Sequence, residues 1–189
     1  MRVIAGKCRS LPLQSVPGKN TRPTTDRIKE TLFNLIQPYV PEARVLDLFA
    51  GSGALGIEAL SRGAAHAVFV DVDRRACEII SANLRFTKLE EQDKVHRGES
   101  PGVLRYLEGG DDIFDLVFLD PPYGRDMEKA ALQALGESSL VHPDTLYVVE
   151  ADLQTPFLWL RESGFRCIKE KAYKTNKHLL IQKEAEELS

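Results

Sequence analysis

Short apolar runs alternate with longer amphipathic stretches along most of this chain, and this alternation constrains the fold more than any other feature. Residues 67–70 and 116–119 are apolar at every position, as strands must be when helices cover both faces of their sheet. We therefore predict an α/β fold built on a doubly wound, mostly parallel sheet. The predicted strands are residues 44–49, 67–71, 94–97, 115–120 and 145–150, and the predicted helices are residues 54–62, 74–86, 101–107 and 127–135.

The two ends of the chain depart from this alternation. Residues 1–16 are predicted to form short extended pieces, and an amphipathic helix is predicted to begin at Thr24 or Thr25, either of which can cap its first N–H groups. At the other end, residues 165–173 and 177–183 are separated by a short polar turn. This pattern predicts an antiparallel hairpin at the edge of the sheet.

Composition excludes several classes of protein. With 189 residues, 43% hydrophobic and 28% charged, the chain has the balance of an ordinary globular protein. Its apolar runs reach only four residues, whereas a transmembrane helix needs about 20. The three cysteines lie far apart, and no zinc-ligand spacing joins them to the four histidines. We therefore expect a cytoplasmic protein without a membrane span, a disulfide framework or a metal site.

The charge is unevenly distributed. Residues 1–30 carry seven basic and two acidic side chains, a net charge of +5, whereas the other 159 residues have a net charge of −8. A basic segment attached to an acidic body favours contact with a polyanion such as a nucleic acid. The predicted organisation is a basic arm and helix over residues 1–41, which would contact RNA, followed by the α/β domain over residues 42–189.

A glycine-rich loop follows the first predicted strand. Residues 51–56 match the G-x-G-x-x-G pattern and Asp71 lies 20 residues after Gly51, as in enzymes that bind NAD. However, Asp47 lies inside the strand, where the NAD pattern has apolar residues. Asp73 competes with Asp71 for a ligand role, but we interpret Asp73 as the N-cap of the next helix.

Residues 45–53 instead resemble motif I of the class I S-adenosylmethionine (SAM) methyltransferases. This resemblance implies a Rossmann-like methyltransferase fold with SAM as its cofactor. It implies that Asp47 holds the methionine end, that Asp71 binds the ribose hydroxyls and that Val72 packs on the adenine. The implied cofactor-binding residues are Asp47, Phe49, Gly51, Ser52, Gly53, Asp71, Val72, Glu99 and Ser100.

A second motif ends the fourth predicted strand. Asp120, Pro121, Pro122 and Tyr123 resemble the [D/N]-P-P-[Y/F] motif of amino-methyltransferases. Strands one and four of a doubly wound sheet are neighbours where the strand order reverses, so Asp47 and Asp120 are expected to flank one crevice. The resemblance implies that Asp120 and the Pro121 carbonyl hold the substrate amino group, that Tyr123 stacks on its base and that no metal is needed.

With the segment from residue 21 to residue 34, these motifs make the chain similar to the bacterial 16S rRNA guanine-N2 methyltransferase family. The resemblance implies methyl transfer to the exocyclic N2 amino group of a guanine in 16S rRNA, within an assembling small ribosomal subunit. The implied substrate-binding residues are Lys7, Arg9, Arg22, Thr24 and Arg27.

Two other functions remain open from the sequence. Adenine also presents an exocyclic amino group, so a DNA adenine-N6 methyltransferase fits the same motif, although no target-recognition domain is evident. The other is a non-catalytic module that binds SAM or RNA, for which the intact Asp120 and Tyr123 would be unnecessary. Identification of the methylated nucleoside distinguishes these alternatives.

Overall fold

The computed structural model describes residues 1–17 and 26–184. Within this part of the chain, seven strands form one sheet: β1 (Arg44–Asp47), β2 (His66–Asp71), β3 (Asp93–Arg97), β4 (Phe114–Leu119), β5 (Val141–Asp152), β6 (Phe165–Ala172) and β7 (Asn176–Lys183). Their order across the sheet is β3-β2-β1-β4-β5-β7-β6. The first five strands are parallel to one another, whereas β7 is antiparallel to both β5 and β6. The predicted α/β fold is confirmed.

The described residues also form five α-helices, which cover both faces of this sheet: α1 (Asp26–Ile36), α2 (Ala54–Ser61), α3 (Arg74–Thr87), α4 (Ser100–Leu107) and α5 (Met127–Gly136). Side chains alternate between the faces along each strand. Val45 and Phe69 pack with α1, α2 and α3 on one face, whereas Leu46 and Val68 pack with α4 and α5 on the other. The central strands are therefore buried on both sides, as their uninterrupted apolar runs predict. None of the described helices is both long and apolar enough to span a membrane.

Element boundaries differ from the prediction in informative places. β1 ends at Asp47 and β4 ends at Leu119, so Phe49 and Asp120 lie in the loops that follow these strands and not within them. β5 is twice as long as predicted, because it begins at Val141 and continues to Asp152. The predicted cap positions of α1, Thr24 and Thr25, lie outside the described residues.

The C-terminal hairpin lies at the sheet edge, as predicted. Its second strand, β7, occupies the inner position, where Glu150 of β5 is opposite His178. β6 therefore forms the outer edge. This order brings the start of β7 beside the end of β5, which becomes important at the site described below.

The first residues of the chain pack against the sheet domain. Arg2 forms an antiparallel bridge with Pro12, and the turn between them approaches the end of α2. Gly6 has a φ of +81°, and a Cβ there would lie 1.8 Å from the carbonyl oxygen of Ser61. Val3, Cys8 and Leu13 are buried in the same cluster as α1, α2 and α3. The division at residue 41 remains a prediction, but residues 1–17 share the core of the domain.

A buried carboxylate ties this N-terminal segment to α2. Glu58 accepts hydrogen bonds from the N–H groups of Ile4 (2.8 Å) and Ala5 (3.0 Å). It also forms ion pairs with Lys29 (3.1 Å) and Arg62 (2.8 Å), and the Lys29 and Glu58 side chains are both fully buried. We call these residues the Glu58 clasp: Ile4, Ala5, Lys29, Glu58 and Arg62.

The clasp changes the interpretation of the basic segment. Burial lowers the pKa of Lys29, although the adjacent Glu58 works in the opposite direction. Arg2 forms an ion pair with Asp26 at 2.8 Å. At least two of the seven basic side chains counted in residues 1–30 are thus paired within the fold. Asp26 is already included in the net charge of +5, but Glu58 lies outside the segment, so the net charge overstates the positive charge presented to a partner by the charge of Lys29.

Candidate active site

The strand order reverses between β1 and β4, and both strands end at the same edge of the sheet. Asp47 is paired in register with Phe118, and the N–H of Leu48 donates to the Phe118 carbonyl at 3.1 Å. Asp120 follows two residues after Phe118. The sheet therefore brings together two carboxylates that are 73 residues apart in the chain. Ligands of doubly wound sheets bind at this edge, outside the carboxyl ends of the strands.

The loop after β1 is fixed by hydrogen bonds and leaves open space beside its first glycine. Gly51 has a φ of +56°, which favours glycine, and the space where a Cβ would stand is open. The N–H of Gly51 donates to the Asp71 carboxylate at 2.9 Å. Ser52 is held through its carbonyl oxygen, which accepts from the Asn83 side chain at 2.9 Å. A ligand can thus approach the backbone of this loop closely.

Asp47 is buried beneath the loop. Its carboxylate accepts the N–H of Gly56 at 3.1 Å, and only 2% of the residue is exposed. Burial, reinforced by the charge of Asp71 and opposed by the Gly56 hydrogen bond, raises the pKa of Asp47 to about 7. The carboxyl group therefore gains or loses its proton near neutral pH, unless a cationic ligand stabilises the ionised form.

The end of β2 supplies the second part of the crevice. The Asp71 carboxylate accepts the N–H groups of Gly51 and Asp73, the latter at 2.8 Å. Asp73 in turn accepts the N–H of Arg75 at 2.9 Å, so its interpretation as the N-cap of α3 is confirmed. Val72, between the two aspartates, is 55% exposed. An exposed apolar side chain beside a fixed carboxylate suits a ligand that has an aromatic ring and hydroxyl groups.

The end of β3 lies farther along the same edge of the sheet. Glu99 directly precedes α4, where its side chain makes no capping hydrogen bond, and Ser100 is the first residue of that helix. Glu99 lines a surface depression of about 540 Å³ between β3 and α4, together with Arg97 and Tyr106. None of the aspartates at the ends of β1, β2 and β4 lines this depression, so it lies beside the crevice. Phe49, after β1, packs partly against the core beneath α4 and α5.

The tetrad after β4 is more buried at its start than at its end. Asp120 is half-buried and Pro121 is buried, whereas Pro122 is exposed and Tyr123 is 38% exposed. The pKa of Asp120 is raised well above its ordinary value by the loss of solvation around its carboxyl group and by the carboxylates of Glu150 and Asp47. Asp120 therefore holds a proton more strongly than an ordinary aspartate.

Sequence reasoning missed a polar cluster beside the tetrad. Glu150, near the end of β5, accepts hydrogen bonds from the Tyr123 hydroxyl (2.8 Å) and the Asn176 side-chain amide (2.8 Å). Its second oxygen lies 3.0 Å from Nε2 of His178. We call these four residues the Glu150 cluster. The sequence offered one local signal, an acidic residue (Glu150) near the carboxyl end of β5, the strand beside β4. Its partners from β7, Asn176 and His178, have no local sequence pattern that would reveal them.

Burial alone would raise the pKa of Glu150. Hydrogen bonds from His178, Tyr123 and Asn176, with the electrostatic effect of His178, bring the pKa below its ordinary value. Glu150 is therefore ionised at neutral pH. Its negative charge is one reason why the pKa of Asp120 is raised.

Two of the predicted substrate-binding residues, Lys7 and Arg9, lie away from the crevice. The N–H of Lys7 donates to the Ser61 carbonyl at the end of α2, and its Nζ donates to Gln92, just before β3. Lys7 and the exposed Arg9 thus lie near the amino ends of the strands, opposite the crevice. Arg27 is exposed in the first turn of α1, whose last turn leads towards the start of β1.

Arg22 and Thr24, which were also predicted to contact the substrate, lie outside the described residues. Among the residues that the structure does describe, no group of three or more His, Cys, Asp or Glu side chains is arranged to hold a metal ion.

Comparison with known proteins places this site in a family. The family model described as "Conserved hypothetical protein 95" matches residues 1–182. The chain belongs to this family. The matched residues extend over the whole of the site described above, from the N-terminal segment to β7.

Individual relatives have names that describe methyltransferases. The chain is 43% identical over 152 residues to "Putative rRNA methyltransferase YlbH" of Bacillus subtilis, covering 80% of this chain and 83% of the relative. It is 38% identical over 159 residues to "Ribosomal RNA small subunit methyltransferase D" of Haemophilus influenzae, covering 84% and 82%. The solved structure "Putative methyltransferase yhhF" from Escherichia coli is 32% identical, with a TM-score of 0.84 over 98% of this chain and 99% of that one. The sheet is thus a Rossmann-like methyltransferase fold.

Proposed function

We propose that this protein transfers a methyl group from SAM to the exocyclic N2 amino group of a guanine in 16S rRNA. The observation that carries the proposal is the position of Asp120–Tyr123 beside the glycine loop, at the point where the strand order reverses. The relative from Haemophilus influenzae, whose name specifies the small ribosomal subunit, supports the choice of substrate. We further propose that the protein acts in the cytoplasm on an assembling small subunit.

The crevice fits SAM by the character of its side chains. Asp47 offers a buried carboxylate to the methionine ammonium, and Asp71 offers a fixed carboxylate to the ribose hydroxyls. Val72 offers an exposed apolar surface to the adenine. When bound, SAM supplies a methyl group on a positively charged sulfur. We propose that Phe49, Ser52, Glu99 and Ser100 complete the contacts.

The tetrad prepares the substrate amino group for reaction. The lone pair of an exocyclic amino nitrogen is delocalised into the base, which makes the nitrogen a poor nucleophile. Hydrogen bonds from the amino protons to the Asp120 carboxylate and the Pro121 carbonyl favour a pyramidal nitrogen whose lone pair points at the methyl group. The two prolines restrict the backbone that holds these acceptors.

Asp120 also accounts for the proton. As the N–C bond forms, the S–C bond breaks and its electron pair stays on sulfur, so positive charge moves to the nitrogen. A carboxylate beside that nitrogen stabilises the charge and then takes the surplus proton. The raised pKa of Asp120 suits this role, because a carboxyl group that holds its proton more strongly is a better base.

The pKa of Asp47 makes SAM affinity depend on pH. Only the ionised carboxylate attracts the methionine ammonium, and with a pKa of about 7 Asp47 is mostly protonated at pH 6. We expect calorimetry to show binding roughly eightfold weaker at pH 6 than at pH 7.5, a range in which an α-amino group largely keeps its proton. An Asp47→Asn variant should bind more weakly and show no such change. Equal affinity of the unaltered protein at both pH values would exclude Asp47 as the ammonium partner.

The N-terminal segment is the proposed phosphate-binding region. Because Lys7 and Arg9 lie opposite the crevice, they would hold a part of the RNA away from the target guanine. A Lys7→Glu/Arg9→Glu variant should bind rRNA more weakly. Its slope of log K against log salt should fall by about 0.7–0.9 for each phosphate group that the variant no longer neutralises. Turnover at saturating RNA should be unchanged.

The matched control for this variant is Arg166→Glu/Lys169→Glu, which reverses two exposed charges on the edge strand β6. It should leave the salt slope unchanged. If both double variants bind rRNA with the slope of the unaltered protein, residues 1–17 do not bind phosphate. RNA binding would then depend on Arg27, on Arg22 and Thr24, or on the acidic body of the protein.

A single experiment tests the function as a whole. Tritiated methyl transfer from SAM is measured with undermethylated small subunits, naked 16S rRNA and DNA, and the labelled nucleoside is then identified. We expect N2-methylguanosine from ribosomal substrates and no label in DNA. N6-methyladenine in DNA would identify the alternative methyltransferase, and SAM binding without transfer to any substrate would identify a non-catalytic module.

A further inference from the structure

The Glu150 cluster has more hydrogen-bonding structure than an exposed turn requires. Residues 122–126, which include Tyr123, are all exposed, yet the Tyr123 hydroxyl is bonded to a carboxylate that is only 7% exposed. Asn176 and His178, which share that carboxylate, are each 2% exposed. The cluster therefore connects a surface aromatic ring to the interior of the sheet.

The topology explains why the cluster lies at the proposed active site. Leu119 is paired in register with Val149, so Glu150 lies at the same level of the sheet as Asp120. Glu150 is also opposite His178 in the antiparallel pair of β5 and β7. The strand beside the tetrad thus supplies the carboxylate, and the next strand supplies two of its donors.

Two side chains hold the His178 ring in place. Nε2 lies 3.0 Å from a Glu150 oxygen. Nδ1 lies 3.3 Å from the Tyr173 hydroxyl, which can donate to it. The rings of Tyr173 and His178 also meet edge to face, with centroids 5.1 Å apart. Glu150 and Tyr173 thus hold opposite sides of the imidazole, and Tyr173 supports the ring from the hairpin.

Burying a carboxylate and its partners stabilises a fold less than an apolar side chain of similar size would. A cluster of this kind is therefore expected to have a role other than stability. The group that it holds in this protein is the Tyr123 ring, which would otherwise rotate freely about its side-chain bonds in an exposed loop. An aromatic ring must have a fixed orientation before a base can stack on it without losing further entropy.

We propose that Glu150 is a positioning residue that fixes the Tyr123 ring, through its hydroxyl, as the surface on which the target base stacks. This inference rests on the proposed function, because it assumes that a base enters the crevice. Glu150 does not touch the reacting atoms. Its effect on the reaction passes through Tyr123, and His178 and Asn176 hold Glu150 in place.

Glu150 has a second possible route to the reaction, through its charge on Asp120. The two routes affect different kinetic quantities. A loss of Tyr123 positioning weakens placement of the base and raises KM for RNA. A change in the protonation of Asp120 changes the chemical step, and therefore kcat and its pH profile.

Four variants separate these routes. Tyr123→Phe removes only the hydroxyl and keeps the ring, and we expect KM for rRNA to rise roughly tenfold with kcat and SAM affinity within about threefold. Glu150→Leu should raise KM to a similar extent. Glu150→Gln, which keeps an oxygen to accept the tyrosine hydroxyl, should change KM by less than about threefold. The double variant Glu150→Leu/Tyr123→Phe should be no worse than either single variant, because both remove the same interaction.

Tyr39→Phe is the matched control, since Tyr39 is 39% exposed, as Tyr123 nearly is, and lies between α1 and the start of β1, at the opposite edge of the sheet from the tetrad. It should leave all constants unchanged. Because Glu150→Leu leaves buried donors unpaired, its folding is checked by circular dichroism. If it is unfolded, the comparison of Tyr123→Phe with Glu150→Gln still decides. An unchanged KM in Tyr123→Phe would overturn the proposal, and so would a rise in KM of Glu150→Gln as large as that of Tyr123→Phe.

An independent measurement separates this inference from the proposed function. In protein labelled with 3-fluorotyrosine, the ¹⁹F resonance of Tyr123 is assigned by its absence from Tyr123→Phe. It should shift and narrow in Glu150→Leu as the ring becomes mobile, and it should change little in Glu150→Gln. If the protein methylates adenine, but the KM values and the ¹⁹F resonance of the variants change as predicted, the proposed guanine substrate is wrong and the role of Glu150 is supported. If the protein methylates guanine, but the resonance is the same in Glu150→Leu, the proposed substrate is supported and the role of Glu150 is wrong.

Discussion

An Asp120→Ala variant should transfer methyl groups on the order of 10²-fold or more slowly than the unaltered protein, with SAM affinity within a few-fold. The carboxylate is placed to stabilise charge that appears on the amino nitrogen only during the reaction. Its removal therefore affects the transition state more than the bound cofactor. Single-turnover transfer to undermethylated small subunits measures the first quantity, and calorimetry measures the second.

Two variants make this result specific. Asp120→Asn keeps a carbonyl oxygen that can accept the amino proton, so its loss of rate should be smaller than that of Asp120→Ala. Asp111→Ala removes an exposed aspartate from the turn before β4 and should have no effect. Near-normal turnover of Asp120→Ala would mean that the tetrad is only a turn after a buried strand, and the proposed reaction would have to be abandoned.

A Glu58→Gln variant should lose about 3–5 kcal/mol of unfolding free energy, a large part of the stability of a typical domain. Glu58 is the anion that compensates fully buried Lys29, and it also accepts the N–H groups of Ile4 and Ala5. The glutamine amide would leave the buried Lys29 ammonium without its counterion. Its NH₂ group would also face N–H donors that now bind the carboxylate. Urea unfolding monitored by circular dichroism measures the loss.

The chain contains suitable comparisons for this measurement. Glu78→Gln breaks an ion pair with Arg74 whose side chains are 61% and 77% exposed, respectively, and it should change stability by no more than about 0.5 kcal/mol. Combining Glu58→Gln with Lys29→Met removes the uncompensated charge and should recover part of the loss. If Glu58→Gln and Glu78→Gln unfold at the same urea concentration, the clasp contributes no more to stability than a surface pair.

The features that could be predicted from the sequence have local causes. Strands that are apolar on both faces require helices on both sides, so residues 67–70 and 116–119 already indicate the layered sheet. Once the sheet is parallel, chain order and the reversal of strand order bring the ends of β1 and β4 together. This is why Asp47 and Asp120 could be assigned to one crevice without coordinates. Capping is equally local, which explains the correct interpretation of Asp73.

Boundaries were predicted less well where neighbouring strands determine them. The first residues of β5 include Pro143 and Asp144, which are typical of turns, but pairing with β4 extends the strand back to Val141. The sequence also could not predict that β7 is the inner strand. A hairpin pattern indicates that its two strands pair with each other, but it does not indicate which of them pairs with β5. Long-range pairing energy decides both features, and it leaves no periodic pattern in either segment.

The sequence by itself determined the α/β class, the order of the motifs and the chemical type of the side chains at the ends of the strands. Only the tertiary structure decided which charges can act on a ligand. In the sequence, Lys29 is one more cation of a basic segment, but in the structure it is buried against Glu58. In the sequence, Glu150 is an acidic residue near the end of a strand, but in the structure it accepts a hydrogen bond from Tyr123. The pKa of Asp120 likewise depends on carboxylates from two other strands. The physical reason is that burial and electrostatic interaction depend on distance in space, and residues distant in the chain approach one another only when the sheet is complete.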